Sequence, residues 1–179
     1  VYLEYEPKVA AVGAGLDIFK PQGSMVIDIG GGTTDIAILS MGEIVTSKSL
    51  RYAGDRMNQA IVNYIKANHQ LLIGMRTAEA IKIEIGAATD PDPDASMNVR
   101  GRDTIDGLPK QIKVNSSEVT EALQEGLQSI IDTTKQVLQE TPPELSADII
   151  DRGIMITGGG ALLKNIDKLI ADSLQVPVL

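Results

Sequence analysis

Apolar positions along the chain fall into two periods, and the change from one to the other marks out its parts. Met25-Val26-Ile27-Asp28-Ile29 and Ile36-Ala37-Ile38-Leu39-Ser40 are short β-branched and apolar runs on either side of a glycine- and threonine-rich segment. That pattern predicts a hairpin. A third strand is expected over residues 43–52, after Met41-Gly42, completing a meander. From Asn115 the period becomes helical, with Val119, Ala122, Leu123, Leu127, Ile130, Ile131, Val137 and Leu138 on one stripe. Asn115 and Glu118 form a capping-box signature, and Pro142-Pro143 stops the helix.

Shorter elements fill the rest. Residues 1–5 read as a strand, and Glu6-Pro7 opens a small-residue helix to about Gly15. Asp55 is a candidate N-cap for a helix carrying Met57, Ile61 and Ile65. Thr77 is a candidate cap for another that ends at Gly86. On that second helix Ala78, Ile81 and Ile85 share one face, while Glu79, Lys82 and Gly86 share a different one. Two short strands are expected near 97–100 and 110–114, and a turn of helix over 147–150. A buried strand over 153–157 runs into Gly158-Gly159-Gly160-Ala161, read as opening a helix, and a last strand begins at Val176. The whole reads as an α/β sheet flanked by helices, with a mostly helical insertion between Arg56 and Val114.

Composition narrows the function classes. The chain has 179 residues, 43% hydrophobic, with one Phe and no Trp, so its core is aliphatic. A net charge of −8 without a basic tract argues against nucleic-acid binding. With no cysteine, disulfides and thiolate zinc sites are excluded. The single histidine, His69, lies in a polar stretch and reads as a solvated surface residue. The acidic, proline-stiffened loop at residues 90–94 reads as solvated rather than as a Ca²⁺ site. No apolar run reaches membrane-spanning length. The absence of an initiator Met suggests a piece of a longer protein.

Chemistry concentrates at the glycines. Gly30, Gly31 and Gly32 are more than a hairpin turn demands. Their N–H groups, with the hydroxyls of Thr33 and Thr34, suit an anion. Asp28, at the end of the preceding strand, suits a hydrated Mg²⁺ or a positioned water. The bland alternative is a turn that satisfies its own backbone. Gly158, Gly159 and Gly160 repeat the theme between a strand and an expected helix start, and a Glu79/Lys82 face lies between the two in sequence.

Residues 25–40 resemble the second phosphate-binding hairpin of the actin, Hsp70 and sugar-kinase ATPase superfamily, and residues 154–163 resemble its adenosine motif. Glu6-Pro7-Lys8-Val9-Ala10-Ala11-Val12-Gly13, Leu72-Ile73-Gly74, Arg76-Thr77-Ala78-Glu79, Ile83-Glu84-Ile85-Gly86, Thr141-Pro142-Pro143-Glu144-Leu145 and Thr157-Gly158-Gly159-Gly160 are similar to the bacterial actins of the MreB family. The likeness runs over essentially the whole chain. Glu6-Pro7-Lys8-Val9 departs from the more usual Glu-Pro-Met-Ala, which points to a paralogue of the Mbl or MreBH kind.

The resemblance implies an actin-like, ribonuclease H-like ATPase fold, and the second half of such a molecule. Residues 1–15 would be the end of the first half with its connecting helix. Residues 16–55 and 115–179 would form the nucleotide-binding subdomain (IIA-like), with 56–114 as an inserted α+β subdomain (IIB-like). It implies ATP or ADP with Mg²⁺ as ligands. Gly30, Gly31, Gly32, Thr33 and Thr34 would hold phosphates, Glu79 and Lys82 would approach the ribose, and Gly158, Gly159, Gly160, Ala161 and Leu162 would flank the adenosine. Glu6 would polarise the attacking water, Thr33 would fix that water or the γ-phosphate, and Asp28 would reach the metal through water. Glu6 at a helix start, an i,i+3 pairing of Glu79 with Lys82, and a turn-stabilising Thr33 are the structural alternatives. The resemblance further implies filaments of the protein itself, membrane-bound cell-wall synthesis partners, membrane contact through the missing first half, and a cytoplasmic location at the inner face of the membrane. An isolated filament-contact module without ATPase activity, or half of an Hsp70-like chaperone or sugar kinase, are the other readings.

Overall fold

A computed structural model describes residues 3–179. Its main sheet holds β1 (Ser24–Ile29), β2 (Thr34–Ser40), β3 (Glu43–Leu50) and β7 (Ile154–Thr157), in the order β3-β2-β1-β7. The three consecutive strands are antiparallel, as the meander pattern predicts, and β7 lies parallel to β1 with Asp28 opposite Thr157. A second sheet, β4 (Leu71–Leu72), β5 (Ser96–Asp103) and β6 (Pro109–Asn115), is antiparallel. Residues 71–72 form a short strand in which Leu71 is fully buried and pairs with Asp103.

Among the described residues six helices cover the sheets: α1 (Glu6–Gly13), α2 (Gly54–His69), α3 (Met75–Ile85), α4 (Ser116–Glu140), α5 (Pro143–Arg152) and α6 (Ile166–Leu174). Side chains alternate across β1. Met25, Ile27 and Ile29 join the large core under α2, α3 and α4, whereas Val26, with Ala37 and Leu39, packs under Ala11 of α1. The capping box forms at α4, with the Asn115 side chain accepting from Glu118 N–H at 3.0 Å and Glu118 accepting from Asn115 N–H at 2.9 Å.

Several local expectations are corrected. Residues 3–5 are exposed and outside any strand, and residues 1–2 lie outside the described ones. Ala53, not Asp55, is the N-cap of α2, and Gly74, not Thr77, that of α3; Asp55 and Thr77 sit inside the first turns. His69 is half-buried rather than solvated. Its Nε2 lies 2.6 Å from Oε1 of Glu118, joining the end of α2 to the capping box of α4. The second glycine run does not open an α-helix. It forms a 3₁₀ turn, Gly159–Leu162, and α6 begins only at Ile166 after Asn165 in the left-handed region. The helix start expected at Gly158 is therefore absent from that position.

Candidate functional site

The parallel pairing of β1 with β7 decides where chemistry collects. Because the two strands run the same way in register, the bends that follow them leave the sheet at one edge. In α/β sheets such an edge, at the carboxyl ends of parallel strands, is where ligands bind. A cavity of about 540 Å³ opens there, lined by Gly30 and Gly31 from the first bend and Gly159, Gly160 and Leu162 from the second. Gly54, Asp55, Glu79, Lys82 and Ile83 are among the other residues that line it.

The first bend is held by its carbonyls. Gly30 O accepts from Gly54 N–H at 3.0 Å and Gly31 O from Asp55 N–H at 2.9 Å, so the start of α2 is tied to the turn. Among the described residues the N–H groups of Gly31, Gly32 and Thr33 have no hydrogen-bond acceptor. A Cβ at Gly32 would meet nothing within 4 Å, and one at Gly31 only Asp55 Oδ2 at 3.9 Å. Unpaired donors on an open, side-chain-free bend make a cradle fitted to phosphate oxygens.

Lys82 reaches the same place from α3. Its Nζ donates to Gly54 O at 3.1 Å, and burial lowers its pKa, opposed by the nearby carboxylates of Glu79 and Asp55. Glu79 is on the cavity wall one turn before it. Asp28 is half-buried on the α1 side of β1. Desolvation raises its pKa, and Asp35 opposite on β2 adds to the rise. A Cβ at Gly158 would run into Asp28 Oδ1, which puts this carboxylate beside the second bend. Among the described residues no group of three or more His, Cys, Asp or Glu could hold a metal ion, so a cation would need phosphate oxygens and water as its other ligands.

Not every expected residue reaches the cavity. Thr34 is fully buried and its hydroxyl donates to Tyr52 O at 2.6 Å, so it serves the hairpin and is unavailable to a ligand. Gly158 and Gly160 answer to packing. Gly158 has φ +85°, and a Cβ at Gly160 would collide with the Ile29 side chain. Ala161 is outside the lining, whereas Leu162 lines it and is 87% exposed. Gly32 and Thr33 are exposed at the tip of the turn, and Glu6 is exposed at the start of α1, across the sheet from α2. Sequence reasoning missed Asn58 and Ser116, buried polar residues of the cavity wall. Asn58 was legible only as a polar residue interrupting the apolar face of α2.

The sequence model of the MreB/Mbl protein family matches residues 1–179. The chain belongs to the MreB/Mbl family. It is 60% identical over its whole length to the cell shape-determining protein Mbl of Bacillus subtilis, of which it covers 54%, and 48% identical to the cell shape-determining protein MreB of Escherichia coli, of which it covers 52%. The fold is actin-like. The crystal structure of MreB 5 of Spiroplasma citri bound to AMPPNP superposes with a TM-score of 0.95 at 45% identity, over 98% of this chain and 53% of that one. The same protein bound to ADP gives the same score. A MamK double helical filament matches at a TM-score of 0.72 and 22% identity, covering 96% of this chain and 53% of that one, a likeness of fold alone. The chain thus spans about half the length of the MreB/Mbl relatives it matches, and these matches do not support the expectation that it is their second half.

Proposed function

We propose that this chain supplies one wall of an ATP/ADP site in an actin-like, Mbl-like protein of the MreB/Mbl family. The observation that carries the reading is that Gly31, with donors around it that have no partner among the described residues, lines a single cavity with Lys82 and Gly159. The relatives bound to AMPPNP and ADP support the choice of ligand. Gly31, Gly32 and Thr33 would hold the β- and γ-phosphates, whereas the Gly30 N–H closes the turn on Thr33 O at 3.0 Å. Glu79 and Lys82 would meet the ribose, and Gly159 with Leu162 the adenosine. Asp28 would reach Mg²⁺ through water, and the cation would neutralise phosphate charge.

Phosphoryl transfer to water asks mainly for positioning and charge stabilisation. Thr33 would orient the water and Glu6 would polarise it. Both lie off the cavity wall, so the remainder of the relatives' length would have to bring them to the nucleotide. This favours a second reading for the 179 residues alone, as a binding and filament-contact module without turnover. In the whole protein, slow hydrolysis would time the assembly of filaments lining the inner face of the cytoplasmic membrane, which guide cell-wall synthesis and so set cell shape. Its partners would be copies of itself and membrane-bound wall-synthesis proteins. Residues 16–55 with 115–179 would be the nucleotide-binding unit, and 56–114 the inserted one.

Calorimetric titration of the full-length protein with Mg-ATP and Mg-ADP tests the reading. Saturable binding of both, each displacing the other, is the expected result. Absence of heat and of competition would overturn it.

A further inference from the structure

The first bend is tied to α2 through peptide groups that run in series, and Lys82 stands behind them. Its Nζ donates to Gly54 O at 3.1 Å. The same peptide group carries the Asp55 N–H, which donates to Gly31 O at 2.9 Å. The Gly31 carbonyl in turn shares its peptide group with the Gly32 N–H, a donor without an acceptor among the described residues. An ammonium, two peptide groups and an open donor therefore form one line. Hydrogen bonds in series polarise one another, and a cation at the head makes each donor along the line stronger. The Gly31 N–H is fed by a separate line. Its peptide group accepts, at Gly30 O, from Gly54 N–H at 3.0 Å, and the Ala53 carbonyl behind that accepts from Met57 N–H at 3.0 Å. Backbone alone makes up this second line.

Lys82 has no other fixed partner. It is half-buried, and among the described residues it forms no salt bridge, so the i,i+3 pairing with Glu79 that its spacing allows is not made. We infer that Lys82 is a positioning residue for phosphate binding, acting from behind the bend through the Gly54–Asp55 peptide to strengthen the Gly32 N–H as a donor. The inference rests on the nucleotide reading and deepens it, giving Lys82 a task apart from any contact with the ribose. An ammonium aimed at a sugar hydroxyl would help every ligand that carries the sugar. One that polarises the bend helps only ligands whose phosphates reach the cradle, because the line ends there.

The test uses the full-length protein and Lys82→Met, which keeps an unbranched apolar stem and removes the charge. In the ligand-free protein the Asp55 and Gly32 amide proton resonances should both move upfield, and the Gly31 resonance by less, since only the first line loses its cation. In titrations the variant should bind ADP and ATP about tenfold more weakly than wild type, and adenosine less than about twofold more weakly. An equal loss for adenosine and ADP would overturn the inference and assign Lys82 to the sugar. Asp55 and Gly32 amides that stay in place would overturn it as well, even with the phosphate-dependent loss intact, because that combination marks a charge acting directly on the phosphate. Where adenosine binds too weakly to titrate, the ligand-free amide shifts decide. Should the Met variant fail to fold, Lys82→Gln, which also removes the charge, is read in the same way. Failure of wild type to bind any of the three ligands would remove the nucleotide site itself and this role with it.

Discussion

The two glycine bends look alike in sequence and differ in what their glycines do. At Gly31 and Gly32 there is room for a side chain, and the backbone donors have no partner among the described residues. At Gly158 and Gly160 there is none. The first adopts φ +85° against the end of β1, and the second lies on Ile29. The first bend is open to a ligand at a modest cost in stability, and the second is a packing joint with one free glycine, Gly159, at its tip. A run of glycines therefore states that backbone must come close to something, and only the neighbours tell whether that something is a ligand or the protein's own core.

Substitutions at the bends separate these roles. Gly160→Val should lower unfolding free energy by about 3 kcal/mol or more, because the Ile29 side chain is locked in a close-packed core; a denaturation curve matching wild type would cancel the contrast. Gly32→Val should leave stability within about 0.5 kcal/mol yet weaken ATP and ADP alike by about 100-fold, or ~2.7 kcal/mol of binding. Normal affinity in that variant would remove the cradle. In the full-length protein Glu6→Ala should slow phosphate release at least about tenfold with ATP affinity nearly intact, and an unchanged rate would exclude Glu6 from the chemistry.

Two smaller effects test the surroundings. The Tyr52 hydroxyl is buried against Gly126 without a partner among the described residues, and burial with Glu125 nearby pushes its pKa up to about 12. Tyr52→Phe should thus raise stability by about 1 kcal/mol in chemical denaturation. Asp28 has a folded-state pKa above its ordinary 3.8, chiefly through desolvation. Its favourable contribution is complete below pH 3.8 and is lost as pH rises through the raised value. Asp28→Asn should accordingly raise Tm at pH 7 and lose that advantage in acid; the same gain at both pH values would assign it to packing instead.

How much of this the residues announce depends on how local the cause is. The capping box at Asn115 and Glu118 and the period of α4 are satisfied within a few residues, and both form as read. The hairpin is local too. Thr34 and Thr33 look equivalent in the sequence, but alternation in β2 turns Thr34 inward to Tyr52 O, eighteen residues away. The start of α6 is hidden in the sequence because the apolar period runs on through Leu162 and Leu163, while Asn165 takes a left-handed conformation that interrupts the helix. His69 finds Glu118 across 49 residues, and the cavity itself is assembled from α2, α3, α4 and both bends. Contacts made at a distance are invisible to any period.

The most direct measurement of the cradle is the response of backbone amide resonances in isotopically labelled full-length protein to Mg-ADP. Gly31, Gly32 and Thr33 N–H signals are predicted to shift together and saturate with a single affinity, accompanied by Gly159 and by the Lys82 side chain. Binding that leaves those three amides unmoved would contradict the account.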